Sequence, residues 1–172
     1  LLDSARIGVT AAHTSVNVLN FAVPMREQLV VFSQFTQFAL RGSSDGTLTP
    51  TNVWVTAATE YETSTLAPPV ATKRSIFATA PRGTATLVRE LFDAGSTARP
   101  QFEAAEVTAQ VPTYLQGTTR HLAISGIEDM LVALLEPASG VKNTLYAYQY
   151  LVNGEERVQS SWSKYTFGGT DC

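Results

Sequence analysis

Apolar and polar positions alternate in short runs along most of the chain, each bounded by Gly, Pro, Asn or Ser. Runs of this kind, rich in Val, Thr, Tyr and Phe, carry the period-two pattern of strands separated by turns. Gln28 to Phe32 and Phe35 to Leu40 read as two strands joined by a tight turn at Ser33-Gln34. Val53 to Thr56 and Thr59 to Glu62 read as extended, and Pro68-Pro69 interrupts because neither ring nitrogen can donate to a ladder. Ser75 to Thr79, a turn at Pro81-Arg82-Gly83 and Thr84 to Phe92 predict a second hairpin, although Leu87, Val88 and Leu91 would also suit a helix. Phe102 to Gln110, with Ala104 and Ala105 among good helix formers, predicts one short helix closed by Pro112 and Gly117.

The last third gives four successive strands: His121 to Ser125, Met130 to Leu135, Thr144 to Val152 and Arg157 to Phe167. Asn153-Gly154 between the last two is a two-residue hairpin signal, because both positions tolerate positive φ. Alternation puts Tyr146, Tyr148 and Tyr150 on one face and Leu145, Ala147 and Gln149 on the other. The fold class is therefore all-β, built from antiparallel four-stranded sheets. Four strands in some forty-five residues is the size of a propeller blade, and apolar hairpins start near Gln28, Arg74 and Asp129. Blade-like units would then cover about 13–62, 63–117 and 118–167 of one all-β region, 1–172. A β-sandwich gives much the same texture, and pattern alone does not separate the two.

Composition narrows the chemistry. The 172 residues are 44% hydrophobic and 16% charged, which describes a folded chain rather than a disordered one. No apolar run reaches the roughly 18 residues of a membrane-spanning helix. The net charge of −3 divides unevenly: residues 1–86 hold six basic and five acidic groups, residues 87–172 six and ten. That balance lacks the basic footprint of tight nucleic-acid binding. A single cysteine, Cys172, excludes an internal disulfide framework, and His13 and His121 show no ligand spacing, so neither metal nor cofactor is expected.

Candidate reactive groups are few. Gly42-Ser43-Ser44-Asp45-Gly46 matches G-x-S-x-G in letters, but no helix pattern follows to strain and expose the serine, so it reads as a turn. Glu60 and Glu62 would share a strand face roughly 6–7 Å apart, a spacing open to paired-carboxylate chemistry and equally to a solvated face. Lys73, Arg74, Arg82 and Arg89 flank one hairpin as a basic contact patch. Trp162, Tyr165 and Phe167, with Tyr148, are core or subunit-interface candidates; Trp162 and Tyr165 face opposite sides of a strand.

Gln159-Ser160-Ser161-Trp162-Ser163-Lys164-Tyr165-Thr166-Phe167, preceded by Leu145 to Tyr150 and Asn153-Gly154-Glu155-Glu156, resembles the tail tubular protein B, or tail nozzle, family of short-tailed T7-like bacteriophages. Val23-Pro24, Glu27 to Ser33, Thr36-Gln37-Phe38, Leu48-Thr49-Pro50, Thr59 to Glu62, Pro81-Arg82-Gly83, Arg89-Glu90 and Val107 to Pro112 follow the same pattern in order, from about His13 to Phe167. Family members are several times longer, so the chain reads as a piece of a larger tail protein. The resemblance implies a structural, non-enzymatic virion tail subunit with a propeller-like region. It further implies a sixfold ring with adaptor and tail-fibre proteins, and passage of double-stranded DNA without specific binding. No small-molecule substrate is expected. The alternatives are a tail-associated glycan hydrolase using Glu60 and Glu62, or a host-surface carbohydrate-binding β module using exposed Tyr and Trp.

Overall fold

In a computed structural model, residues 6, 18–42, 47–95, 101–139, 143–153 and 156–169 are described. His13, residues 43–46 of the Gly-Ser loop, Gly154, Glu155 and Cys172 lie outside them. The described residues form twelve strands and no helix. Sheet 1 holds β1 (Leu19–Met25), β2 (Gln28–Ser33), β3 (Gln37–Arg41) and β4 (Trp54–Thr59). Sheet 2 holds β5 (Val70–Ala71), β6 (Ser75–Arg82), β7 (Ala85–Asp93) and β8 (Phe102–Glu106). Sheet 3 holds β9 (Thr118–Ser125), β10 (Met130–Glu136), β11 (Thr144–Asn153) and β12 (Glu156–Thr166). Every pairing within the sheets is antiparallel between sequence neighbours, so each sheet is a simple meander.

The sheets stack in chain order, with sheet 2 in the middle. Val23, Met25, Val30 and Phe32 of sheet 1 pack on Ile76, Ala78 and Leu91 of sheet 2. From the opposite face of sheet 2, Phe77 and Val88 pack on Leu131, Ala133, Leu135, Tyr146 and Tyr148 of sheet 3. Both faces of the middle sheet are thus covered, and Ser75 to Ala80 is buried without a break. In the outer sheet 3, β10 keeps a clean alternation, with Leu131, Ala133 and Leu135 inward.

The helix expected over 102–110 is not there. Residues 102–106 are β8, in register with β7 through Leu91↔Ala104 and Asp93↔Phe102, and a turn follows at 107–110. Ala and Glu are good helix formers, but intrinsic propensity is a small term that tertiary context overrides. Here the open edge of β7 and the apolar face of sheet 1 outweigh them, because Phe102 and Ala104 pack against the cluster between sheets 1 and 2. A smaller correction concerns the hairpin after β6: Pro81 and Arg82 lie in the strand, paired with Thr86 and Ala85, and the turn is Gly83-Thr84, with Gly83 at φ 60°.

A threefold repeat that the sequence does not display appears in the hydrogen bonds. After its fourth strand the chain doubles back over the connection between its sheet's second and third strands. In sheet 1, the Thr63 amide donates to Gln34 O at 2.8 Å and the Thr63 hydroxyl to Ser33 O at 2.6 Å. In sheet 2, the Thr86 amide donates to Leu115 O and the Gly117 amide to Thr84 O, both at 2.8 Å. In sheet 3, the Phe167 amide donates to Asn143 O at 2.9 Å. Gly117 passes the β10–β11 connection so closely that a Cβ there would lie 2.5 Å from the Glu136 carbonyl oxygen, and its φ is 110°.

Candidate assembly surface

The aromatic residues of sheet 3 divide between interior and surface. Tyr146 and Tyr148 are buried against sheet 2, and Trp162, opposite Tyr148 on β12, stacks on it with ring centres 4.8 Å apart. The Trp162 indole N–H donates to Val107 O at 3.0 Å, which fastens β12 to the turn after β8. Tyr165 and Phe167 are 50% and 49% exposed. Of the four aromatic candidates, the structure brings Tyr148 and Trp162 together inside and leaves Tyr165 and Phe167 outside.

The outer face of sheet 3 belongs to neither buried cluster and mixes apolar with polar side chains. Across it, His121, Leu134, Leu145 and Tyr165 form one cross-strand row, and Ala123, Val132, Ala147 and Ser163 the next. Beyond these rows Met130 stands opposite exposed Gln149, and Leu151, also exposed, opposite Gln159. An apolar row on a sheet face away from the protein's own core is the usual mark of a surface that meets another layer. At the other end of the stack, Trp54 on the edge strand β4 is 71% exposed.

The cationic residues are spread along the second hairpin. Lys73 and Arg74 sit in the β5–β6 turn and line a cleft of about 550 Å³ with Glu90, Asp129, Tyr150 and Arg157. Arg89 stacks over the Tyr61 ring at 4.6 Å and donates to Glu62 O. At the far end of β6, Arg82 makes two hydrogen bonds to Glu106, at 2.7 and 2.6 Å. Arg157, which sequence reasoning passed over, crosses from β12 to hydrogen-bond Glu90 on β7, and its guanidinium lies 4.9 Å from the Tyr150 ring and 5.6 Å from that of Tyr148. Its isolated position beside Glu155-Glu156 gave no sign of a partner sixty-seven residues away. Burial, with the negative charges of Asp129 and Glu90, pushes the Tyr150 phenol above its ordinary value.

Hydrogen bonding from Arg82, opposed by burial and assisted by the Thr108 hydroxyl, holds the Glu106 carboxyl below its usual range. The unfolded chain therefore takes up this proton first as the pH falls. Stability from the pair is complete above the unfolded carboxylate range and is lost as pH drops through the lower folded value. Glu106→Gln is expected to melt slightly below the parent at neutral pH, with the two curves converging in acid. Thermal melts of both proteins across a pH series measure this.

Glu60 and Glu62 are exposed on the stretch that follows β4, with Tyr61 between them under Arg89. His121 is exposed on β9, opposite Leu134. Among the described residues no group of three His, Cys, Asp or Glu side chains is placed to hold a metal ion, and no helix is long and apolar enough to cross a membrane.

The model of the family described as bacteriophage nozzle protein matches residues 1–172. Tail tubular protein gp12 of Escherichia phage T7 is 28% identical over 168 residues, a match that covers 98% of this chain and 20% of that protein. The chain thus spans about a fifth of the length of this curated relative.

Proposed function

Because the chain belongs to the bacteriophage nozzle protein family, we propose that it is wall material of a virion tail nozzle, shaped by backbone pairing and apolar faces rather than around a reactive pocket. The observation that carries this reading is the succession of three meander sheets stacked face to face, with Leu134, Leu145 and Tyr165 in one row on the outer face of the third. The same succession supports blade-like units over about 13–62, 63–117 and 118–167. β1 lies beside β5 and β5 beside β9 along one side of the stack, while β4 lies beside β8 along the other. Blades of a propeller are arranged in this way, and three are fewer than a closed ring needs. A further sheet of the same polypeptide laid on Leu134, Leu145 and Tyr165 would continue the series.

In the assembled tail, subunits form a sixfold ring with adaptor and tail-fibre proteins, and double-stranded DNA passes through the channel without specific binding. The acidic second half suits that role, since phosphate contacts need clustered cations. Arg82 and Arg89 are engaged with Glu106 and Tyr61, and Lys73 and Arg74 line a cleft with Glu90 and Asp129. Tyr165 and Phe167 serve the contact with that further layer, and Tyr148 and Trp162 the core. Glu60 and Glu62 have no catalytic part, and the exposed Tyr and Trp residues have no glycan to hold.

Negative-stain microscopy of the purified tail polypeptide tests the proposal. Rings with six subunits are the expected result. A polypeptide that stays monomeric by sedimentation equilibrium at micromolar concentration would overturn it.

A further inference from the structure

Six strands stand at the edges of the three sheets, and five of them carry a feature that discourages a further strand. β1 contains Pro24 and a register shift between Leu19 and Phe21. β5 has two residues, and β8 has five, of which Glu103 and Glu106 are charged. The pairings of β4 and β9 each shift register, and β9 carries Arg120. β12 is the exception. It is eleven residues long, and beyond the shift at Leu151/Val152 it runs in register from Gln159 to Thr166 with no proline and one charge, Lys164.

Two hydrogen bonds fix which way its backbone points. The Tyr150 amide donates to Asp129 O, just ahead of β10, and the Phe167 amide donates to Asn143 O. Antiparallel ladders alternate, so Tyr146, Tyr148 and Tyr150 of β11 bond toward β10, while Leu145, Ala147, Gln149 and Leu151 bond toward β12. Their partners on β12 are Tyr165, Ser163, Ser161 and Gln159. The amides and carbonyls of Ser160, Trp162, Lys164 and Thr166 therefore face away from β11, and Ser160, Lys164 and Thr166 are exposed. Among the described residues no strand pairs along that side. An open cleft of about 300 Å³ lies between Ser160 and Trp162 and the turn from Val107 to Val111. Side chains of an added strand that point toward sheet 2 would have room there.

The exit segment bears on which chain supplies that strand. Phe167 leads the polypeptide toward the β10–β11 connection, across β11 from the free edge, as the segments after β4 and β8 do in their own sheets on the way to β5 and β9. The chain that has just made β12 is thus led away from its edge. We propose that this edge accepts an extended strand from a neighbouring subunit, with main-chain hydrogen bonds to Ser160, Trp162, Lys164 and Thr166 joining one copy to the next. The proposal rests on the ring reading above. A ring requires a heterologous contact, so the donor is a segment other than β12 itself.

Hydrogen exchange in the full-length tail polypeptide tests it. In dissociated subunits the amides of Ser160, Trp162, Lys164 and Thr166 are expected to exchange quickly, and those of Gln159, Ser161, Ser163 and Tyr165 slowly. In rings both sets should be slow. Rings in which the first set still exchanges quickly would overturn the proposal and leave the nozzle reading standing, whereas a polypeptide that forms no ring overturns both. A variant carrying Ser160→Pro and Lys164→Pro removes two donors that face the edge and spares every bond to β11. Folded subunits without rings are expected from it in the microscope, and rings as abundant as the parent's would count against the proposal. Should the variant not fold, exchange in the parent protein decides.

Discussion

Replacing Gly117 with alanine is expected to lower the stability of the chain by about 3 kcal/mol or more. The backbone there has a φ of 110°, outside the range in which L side chains are comfortable. The added methyl would also stand 2.5 Å from the Glu136 carbonyl oxygen and 2.9 Å from the Pro137 Cα. Both obstacles are main chain, so neither can rotate away. To relieve the contact, either the exit segment of sheet 2 or the β10–β11 connection must move, and the hydrogen bonds from Gly117 to Thr84 and from Thr86 to Gly117 go with it. Thermal melts should record a drop on the order of 10 °C. Gly126→Ala is the matched control: nothing lies within 4 Å of its Cβ position, and its melting temperature should stay close to the parent's.

Tyr148→Ala should cost about 3–5 kcal/mol, the range for removing a large ring from a packed core. The ring touches Trp162 at 4.8 Å and Tyr150 at 5.5 Å, and lies 5.6 Å from the Arg157 guanidinium. Removing it opens the interface between sheets 2 and 3 and leaves the Trp162 ring without its stacking partner. Tyr165→Ala on the opposite face should change the melting temperature little, since half of that residue is already in water. The contrast reads out in one pair of melts: comparable losses for both variants would mean that the division of sheet 3 into an inner and an outer face is wrong.

That division was legible before any coordinates in β11, where alternation sets Tyr146, Tyr148 and Tyr150 apart from Leu145, Ala147 and Gln149, and β10 alternates cleanly in its burial. The middle sheet was harder for the same physical reason turned around. With Ile76, Ala78 and Leu91 facing one neighbour and Phe77 and Val88 the other, alternation disappears, and Leu87, Val88 and Leu91 fit a helix as well as a strand. β8 was missed outright: Phe102-Glu103-Ala104-Ala105-Glu106 has helical composition, and only the edge it pairs with makes it a strand. β5, two residues long, and β1, interrupted by Pro24, carry too little pattern to stand out. The assembly surface was half visible. Trp162 and Tyr165 could be set on opposite faces by counting, but the partners of Arg82, Arg89 and Arg157 lie on other strands and in other sheets, where spacing along the chain says nothing.

The fasteners of this protein arrive last. Thr63 follows β4, Leu115 and Gly117 follow β8, and Phe167 follows β12, yet each ties down a connection made earlier in its own sheet. During synthesis a ribosome would therefore release four paired strands before the residue that locks them, and would expose Val30 and Phe32 until Ile76 and Leu91 emerge to cover them. The intervals in which a nascent chain is open to aggregation or to a chaperone thus fall at fixed places along the message, just ahead of each exit segment.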